Sequence, residues 1–196
     1  MRLIALLCCL VLAMLLSVPA RASAVYMTQA ELVASAFSRD DVAAQLLWIS
    51  GSTKRDLQTL LKRQSVGLRQ RYWRDENRTV WVFNEVGKEM PITIGVVVES
   101  PSVQEAAGEA SGRSAAIVQL AVLEYRESRG GEVRHPFFTR QFIGAALDRK
   151  HQLDRHIDGI SGATLSVRAM QRVARAALYL HASVVDQADG SLKARH

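Results

Sequence analysis

Three features of the sequence predict an α+β fold: an antiparallel, partly curled sheet with flanking helices. The first is a change of period near Arg71, with apolar residues at helical spacing before it and short runs of branched and aromatic residues after it. The second is that no amphipathic segment long enough for a crossover helix separates those runs, so neighbouring strands should pair antiparallel. The third is a closing segment from Leu165 to about His181, in which Val167, Met170, Val173, Ala174, Ala177, Leu178 and His181 fall near one helical face.

The chain opens with the build of a secretory signal. Arg2 supplies a positive charge, Leu3 to Leu16 form an apolar run, Pro19 breaks it, and Ala20-Arg21-Ala22 and Ala22-Ser23-Ala24 offer small-x-small cleavage sites. Residues 1–22 are therefore read as a signal peptide, cut after Ala22 or Ala24. The run falls short of the roughly 18 apolar residues that a membrane span needs. Export predicts a periplasmic location or the outer face of the cytoplasmic membrane. Both cysteines, Cys8 and Cys9, lie inside the signal, so the exported product has no disulfide, thiolate metal site or thiol nucleophile. Cleavage after Ala22 leaves 174 of 196 residues, enough for one domain, and lowers the net charge from +6 to +4 as Arg2 and Arg21 leave. Mild basicity suits an anionic cofactor or partner. Export and the lack of any run of five like charges exclude nucleic acid.

Residues 25–83 read as a helical segment followed by a first strand. Thr28 caps a helix from Gln29 with Leu32, Val33 and Phe37 at helical spacing; a second helix is expected from Asp40 or Asp41 through Trp48. Ser50-Gly51-Ser52 ends it, and Thr53 starts a third that places Leu57, Leu60 and Leu61 on one face. Strands are expected over Thr79–Phe83, Ile92–Val98 and Ile117–Tyr125, with a loop from Ser100 to Ser114. Phe137, Phe138, Phe142 and Ile143 form an apolar cluster expected to lie against the sheet. Residues 182–196 read as a polar tail, frayed from Asp186 onward.

The chemically informative stretch is Asp158-Gly159-Ile160-Ser161-Gly162-Ala163-Thr164, just before the last helix. Its glycines allow sharp turns and close backbone approach, Ala163 leaves space, and Thr164 presents a hydroxyl near a helix start. Free amides and the positive end of the helix dipole favour a phosphate there. A plainer alternative is a glycine-rich helix start capped by Ser161 or Thr164. A serine-hydrolase elbow is excluded because Ala163 stands where Gly-x-Ser-x-Gly needs glycine. His151, Asp154 and His156 lack a companion ligand cluster and read as loop residues, with no metal site.

These seven residues resemble, at every fixed position, the flavinylation motif Asp-x-x-Ser/Thr-Gly-Ala-Thr/Ser of FMN-binding domains. Such domains occur, for example, in the C subunit of the sodium-pumping NADH:quinone reductase and the G subunit of Rnf complexes. The resemblance implies FMN joined through its phosphate to Thr164, with Asp158, Ser161, Gly162 and Ala163 recognised by a dedicated flavin transferase that uses FAD and a divalent metal, and Leu165 beside the cofactor. It extends over residues 84–181. The family's upstream Glu-Thr-Pro-Gly-like stretch is replaced by Tyr125-Arg126-Glu127-Ser128-Arg129-Gly130-Gly131, which lacks the proline and makes Glu127 and Ser128 candidate flavin neighbours. Phe137 to Gly144 looks like the family's aromatic-x-x-x-Phe-x-Gly segment. The implied function is an exported electron relay between a membrane or periplasmic redox partner and another carrier, or a component of a reductase system. The alternative is a non-redox exported module that binds an anionic ligand or a protein partner.

Two groups of side chains stay open at this level. Arg168, Arg172 and Arg175 stripe the last helix, either as a solvated face, as docking for an acidic redox partner, or as a screen for the flavin phosphate. Arg126, Arg129 and Arg134 share that ambiguity, and a cation beside the flavin would raise its potential. Trp73, Trp81, Tyr125 and Phe142 are flat enough to stack on the ring, although core packing is the simpler duty for each.

Overall fold

The structure is a computed structural model that describes residues 24–39, 41–101 and 114–193, with side chains described as far as Val185. The expected signal peptide and most of the expected 100–114 loop lie outside the described residues. In chain order the elements are β1 (Ala24–Val25), α1 (Gln29–Phe37), β2 (Ala44–Trp48), α2 (Gly51–Leu61), β3 (Arg69–Asp75), β4 (Arg78–Val86), β5 (Pro91–Glu99) and β6 (Ala116–Tyr125). Short helical turns over Gly131–Arg134, α3 (Pro136–Thr139) and Arg140–Phe142 follow, and α4 (Thr164–Lys193) closes the chain. This is the expected α+β class.

The strands make one open antiparallel sheet in the order β1-β6-β5-β4-β3-β2. Register irregularities at Thr93/Ile94 and Val97/Val98 sharpen the twist of the β5–β6 pair. Strand alternation sorts side chains into two layers. Val80, Val97, Leu123 and Trp73 pack under Leu32, Val33 and Ala36 of α1. Trp81, Ile92, Ile94, Val96 and Val98 face the opposite way, into a larger core with α2 and α4. Phe138 and Phe142 join that core edge to face at 5.6 Å, whereas Phe137 and Ile143 stay exposed, so only half of the expected cluster is buried.

Two sequence expectations need correction. Residues 44–48 form strand β2, not a helix: Ala44 pairs with Trp73 and Trp48 with Arg69 on the sheet edge. The Ala-Gln-Leu-Leu run favours helix locally, and pairing with β3 overrides it. The expected tail is also helical, because α4 continues to Lys193. Smaller shifts are that α2 begins at Gly51 rather than Thr53, and that β1 and β3 were not foreseen. α1 starts as expected, with Thr28 Oγ1 accepting the Glu31 amide at 3.1 Å and the Glu31 carboxylate accepting the Thr28 amide at 2.6 Å.

Polar side chains fasten α4 to the sheet at two levels. Buried Glu85 on β4 accepts from Arg172 of α4 at 2.7 Å and from Arg63, just past α2, at 2.6 Å. About two and a half turns further on, fully buried His181 bridges Thr79 Oγ1 and Ser100 Oγ, each at 2.7 Å, and the Trp81 indole N–H donates to the same Thr79 oxygen at 2.8 Å. Burial, helped by the positive charge of Arg74, pushes the His181 pKa down to about 4. The folded protein therefore keeps His181 neutral while the unfolded chain takes up a proton below its ordinary 6.5. Stability is unaffected by this group above pH 6.5, declines as pH falls below it, and levels off below the folded value. Urea denaturation should find about 1.5 kcal/mol lost between pH 6.5 and 5.0 through His181. His181→Gln should flatten that slope, and an equally steep slope in the variant would refute the assignment.

Candidate functional site

Three segments converge at the N-terminus of α4: the β4–β5 turn, the stretch after β6, and residues 160–166. Their meeting is set by close packing. Gly130 sits at φ +82, and a Cβ there would approach Tyr125 Oη at 2.9 Å and the Ala163 Cβ and Ser166 Oγ at 3.2 Å each. Only glycine accepts both that backbone conformation and that crowding. The Tyr125 hydroxyl donates to the Arg129 carbonyl at 2.5 Å and lies 3.1 Å from Ser166 Oγ, tying the loop to the helix's first turn. Burial is the main cause of the raised Tyr125 pKa, partly offset by the Ser166 contact, so the phenol stays protonated.

Glu127 organises the turn opposite. One carboxylate oxygen accepts the amides of Lys88, Glu89 and Met90 at 2.6, 2.7 and 2.9 Å. Partial burial raises its pKa, but the three amides and the Lys88 charge outweigh that, and the net shift is downward. The carboxylate thus fills an anion-binding nest made by its own protein, which holds the β4–β5 turn against the cavity.

At the helix start the chain turns sharply. The Ala163 amide donates to the Ile160 carbonyl at 3.0 Å, Gly162 adopts φ +79, and Val167 donates to the Ala163 carbonyl at 2.9 Å as the first helical bond. The amides of Thr164, Leu165 and Ser166 precede that bond and have no acceptor within the helix. Thr164, the first helical residue, is exposed, as is Leu165. Both line a cavity of about 580 Å³ together with Gly162, Ala163, Ser166, Glu127, Ser128, Arg129, Lys88 and Glu89.

Six of the eight residues singled out in the sequence, Thr164, Gly162, Ala163, Leu165, Glu127 and Ser128, therefore meet in one cavity. Asp158 and Ser161 do not line it. Both are exposed; the Asp158 amide donates to Gln141 Oε1 at 2.7 Å and its carboxylate lies 3.6 Å from His156 Nε2. Lys88 and Ser166 were missed; recognising residues 87–90 as a hairpin turn between two strands would have brought Lys88 beside the motif. The structure also separates the three upstream arginines. Arg126 bonds Thr93 and the Pro91 carbonyl at 3.2 Å each and pairs with Glu124, while Arg134 stacks 4.7 Å from the Tyr26 ring. Arg129 alone of the three has no side-chain partner among the described residues and lines the cavity. Trp73, Trp81, Tyr125 and Phe142 all have their rings in the buried core.

The residues present suit a phosphate-bearing flavin. Three amides without an acceptor in the helix and the helix dipole meet Arg129 and the Lys88–Glu89 pair, 3.4 Å apart, around an exposed hydroxyl, in a cavity large enough for part of a planar cofactor. Among the described residues no three His, Cys, Asp or Glu side chains gather as a metal site. No curated protein matches the chain. Residues 87–179, the stretch that builds this cavity and the helix behind it, match the family model described as the FMN-binding domain, and that part of the chain is an FMN-binding domain of this family.

Proposed function

We propose that the protein carries FMN covalently, as a phosphoester on Thr164, and works as an exported electron relay. The observation that carries this reading is the exposed Thr164 at the start of α4, set in a cavity with Lys88 and Arg129. Attachment forms a bond from Thr164 Oγ1 to the FMN phosphorus as the pyrophosphate bond of FAD breaks and AMP leaves, with a flavin transferase and its metal performing the exchange. Exposed Asp158 and Ser161 stand where that transferase could read them. Bound FMN supplies one- and two-electron redox chemistry.

The chain's own groups would do the rest. The amides of Thr164, Leu165 and Ser166 face the phosphate charge, Glu127 fixes the turn carrying Lys88, and Tyr125 fixes the loop carrying Arg129. Export rests on the N-terminal signal, and the redox partners would then be periplasmic or membrane proteins. Pairing of Ala24 with Tyr125 in the β1–β6 ladder favours cleavage after Ala22, because a cut after Ala24 would remove half of β1.

Two measurements test this. Intact mass of protein co-expressed with a flavin transferase should rise by one FMN; Thr164→Val should abolish the adduct, Thr164→Ser should keep it, and Ser161→Ala should reduce it. Covalent flavin retained in Thr164→Val would overturn the site. Arg129→Gln should lower the flavin midpoint potential by about 30 mV, the equivalent of ~1.4 kcal/mol over two electrons. An unchanged potential would remove Arg129 from that role.

A further inference from the structure

A second concavity of about 540 Å³ lies along α4 below the attachment threonine, walled by the end of α2, residues 152–157 and α4 itself. Arg168, Arg172 and Arg175 follow Thr164 by four, eight and eleven residues, which at about 100° per residue puts all three within roughly 80° of it on the helix surface. Lys62, Arg155 and His156 complete the basic lining, and no carboxylate takes part in it.

The protein compensates only part of this charge. Arg172 is paired with Glu85 at 2.7 Å. Arg155 lies 3.4 Å from Asp154 and donates to the carbonyls of Ile143 and Gly144 at 2.8 and 2.6 Å. Arg175 is held by neutral oxygens alone, Gln152 Oε1 at 2.9 Å and the carbonyls of Gln171 and Leu60 at 3.4 and 3.5 Å. These acceptors orient its guanidinium and cancel no charge. Lys62 and Arg168 have no side-chain partner among the described residues. The negative end of α2 accounts for Lys62 and for the Leu60 contact of Arg175. It does not account for Arg168, four residues into another helix. Burial, then repulsion from Arg172, lowers the Arg175 pKa, as expected where like charges crowd together.

We propose that this concavity binds a small polyanion, a molecule with two or more phosphate or carboxylate groups, through Arg168, Arg175 and Lys62, with Arg155 and Arg172 at its flanks. Guanidinium forks already oriented by the protein suit bidentate oxyanions. The walls and volume suit a small molecule, within the range of ligand pockets, better than a flat protein patch. The site goes beyond flavin attachment and does not depend on it.

Titration calorimetry of the intact protein, flavinylated and unmodified, with inorganic pyrophosphate and with citrate tests the proposal. One-to-one binding is expected in both forms, weakening as salt is raised. Arg168→Gln and Lys62→Gln, both at exposed positions, should each weaken it about fivefold or more. Arg71→Gln, on the sheet face that carries α1, should not change it. Absence of saturable binding, or equal weakening by Arg71→Gln, would overturn the site. Binding that vanishes on flavinylation would assign these arginines to the cofactor. A polyglutamate peptide that binds where pyrophosphate and citrate do not would make the surface a protein-docking face.

Discussion

Burial of α4 against the sheet is the contact on which the rest of the molecule depends. Its inner face carries Ala169, Ala174, Ala176 and Ala177 between Met170, Val173 and Leu180, all fully buried. Small side chains let the helix axis approach the strands while the larger ones fill the spaces between them. Burying a Val, Leu or Met side chain contributes about 1.5–3 kcal/mol each, so this face outweighs any single polar contact. The polar contacts do something else. An ion pair through Glu85 and a hydrogen-bonded His181 tolerate one alignment, because a shift of the helix would leave buried polar atoms unpaired. Packing holds α4 down, and those two contacts set its register. The helix start, with Thr164, is thereby placed without help from the loop that precedes it.

That division explains why residues 158–162 can be irregular and largely exposed, with Ala163 the first buried residue. It also explains the charge around the cavity. Of the two acidic side chains that line it, Glu127 is taken up by the β4–β5 amides and Glu89 lies 3.4 Å from Lys88. With Lys88 offset by Glu89, Arg129 and the helix dipole supply the remaining positive field above Thr164. A phosphate therefore gains attraction from Arg129 and the helix amides, and competes with Glu89 for Lys88.

How far the sequence carried depended on whether local and tertiary preferences agree. β4, β5 and β6 were legible because branched and aromatic residues fill both faces of strands buried on both sides. α1 was legible to the residue because Thr28 and Glu31 form a local capping box. β2 was not, since its Leu46 and Trp48 are exposed on an edge and its composition favours helix; only pairing with β3 makes it a strand. β3 itself hid behind charge, as Arg69, Arg71, Arg74 and Asp75 decorate Tyr72 and Trp73. At the site, the motif residues lie in one stretch and could be read directly. Lys88 and Ser166 belong to the cavity through strand pairing and helix packing, and nothing adjacent in the chain points to them.

The shape of the cavity bears on why a covalent bond would serve this protein. Strong non-covalent flavin binding needs flat apolar surface against the ring, and the aromatic candidates do not offer it: Tyr125 reaches the site with its hydroxyl, 3.1 Å from Ser166, while its ring is buried. Trp81 and Phe142 are fully buried in the core, and Trp73 packs under α1 on the other side of the sheet. What faces Thr164 is exposed Leu165, a serine, backbone and charge. Such a surface attracts a phosphate but gives the ring little to stack on, and charge attraction at an exposed site is weakened by salt. A tether changes the terms: it replaces intrinsic affinity by an effective concentration on the order of millimolar, independent of free cofactor. Under the proposed attachment, an open cavity that would lose a free flavin keeps a bound one, and the same openness leaves the ring accessible to partners that exchange electrons with it.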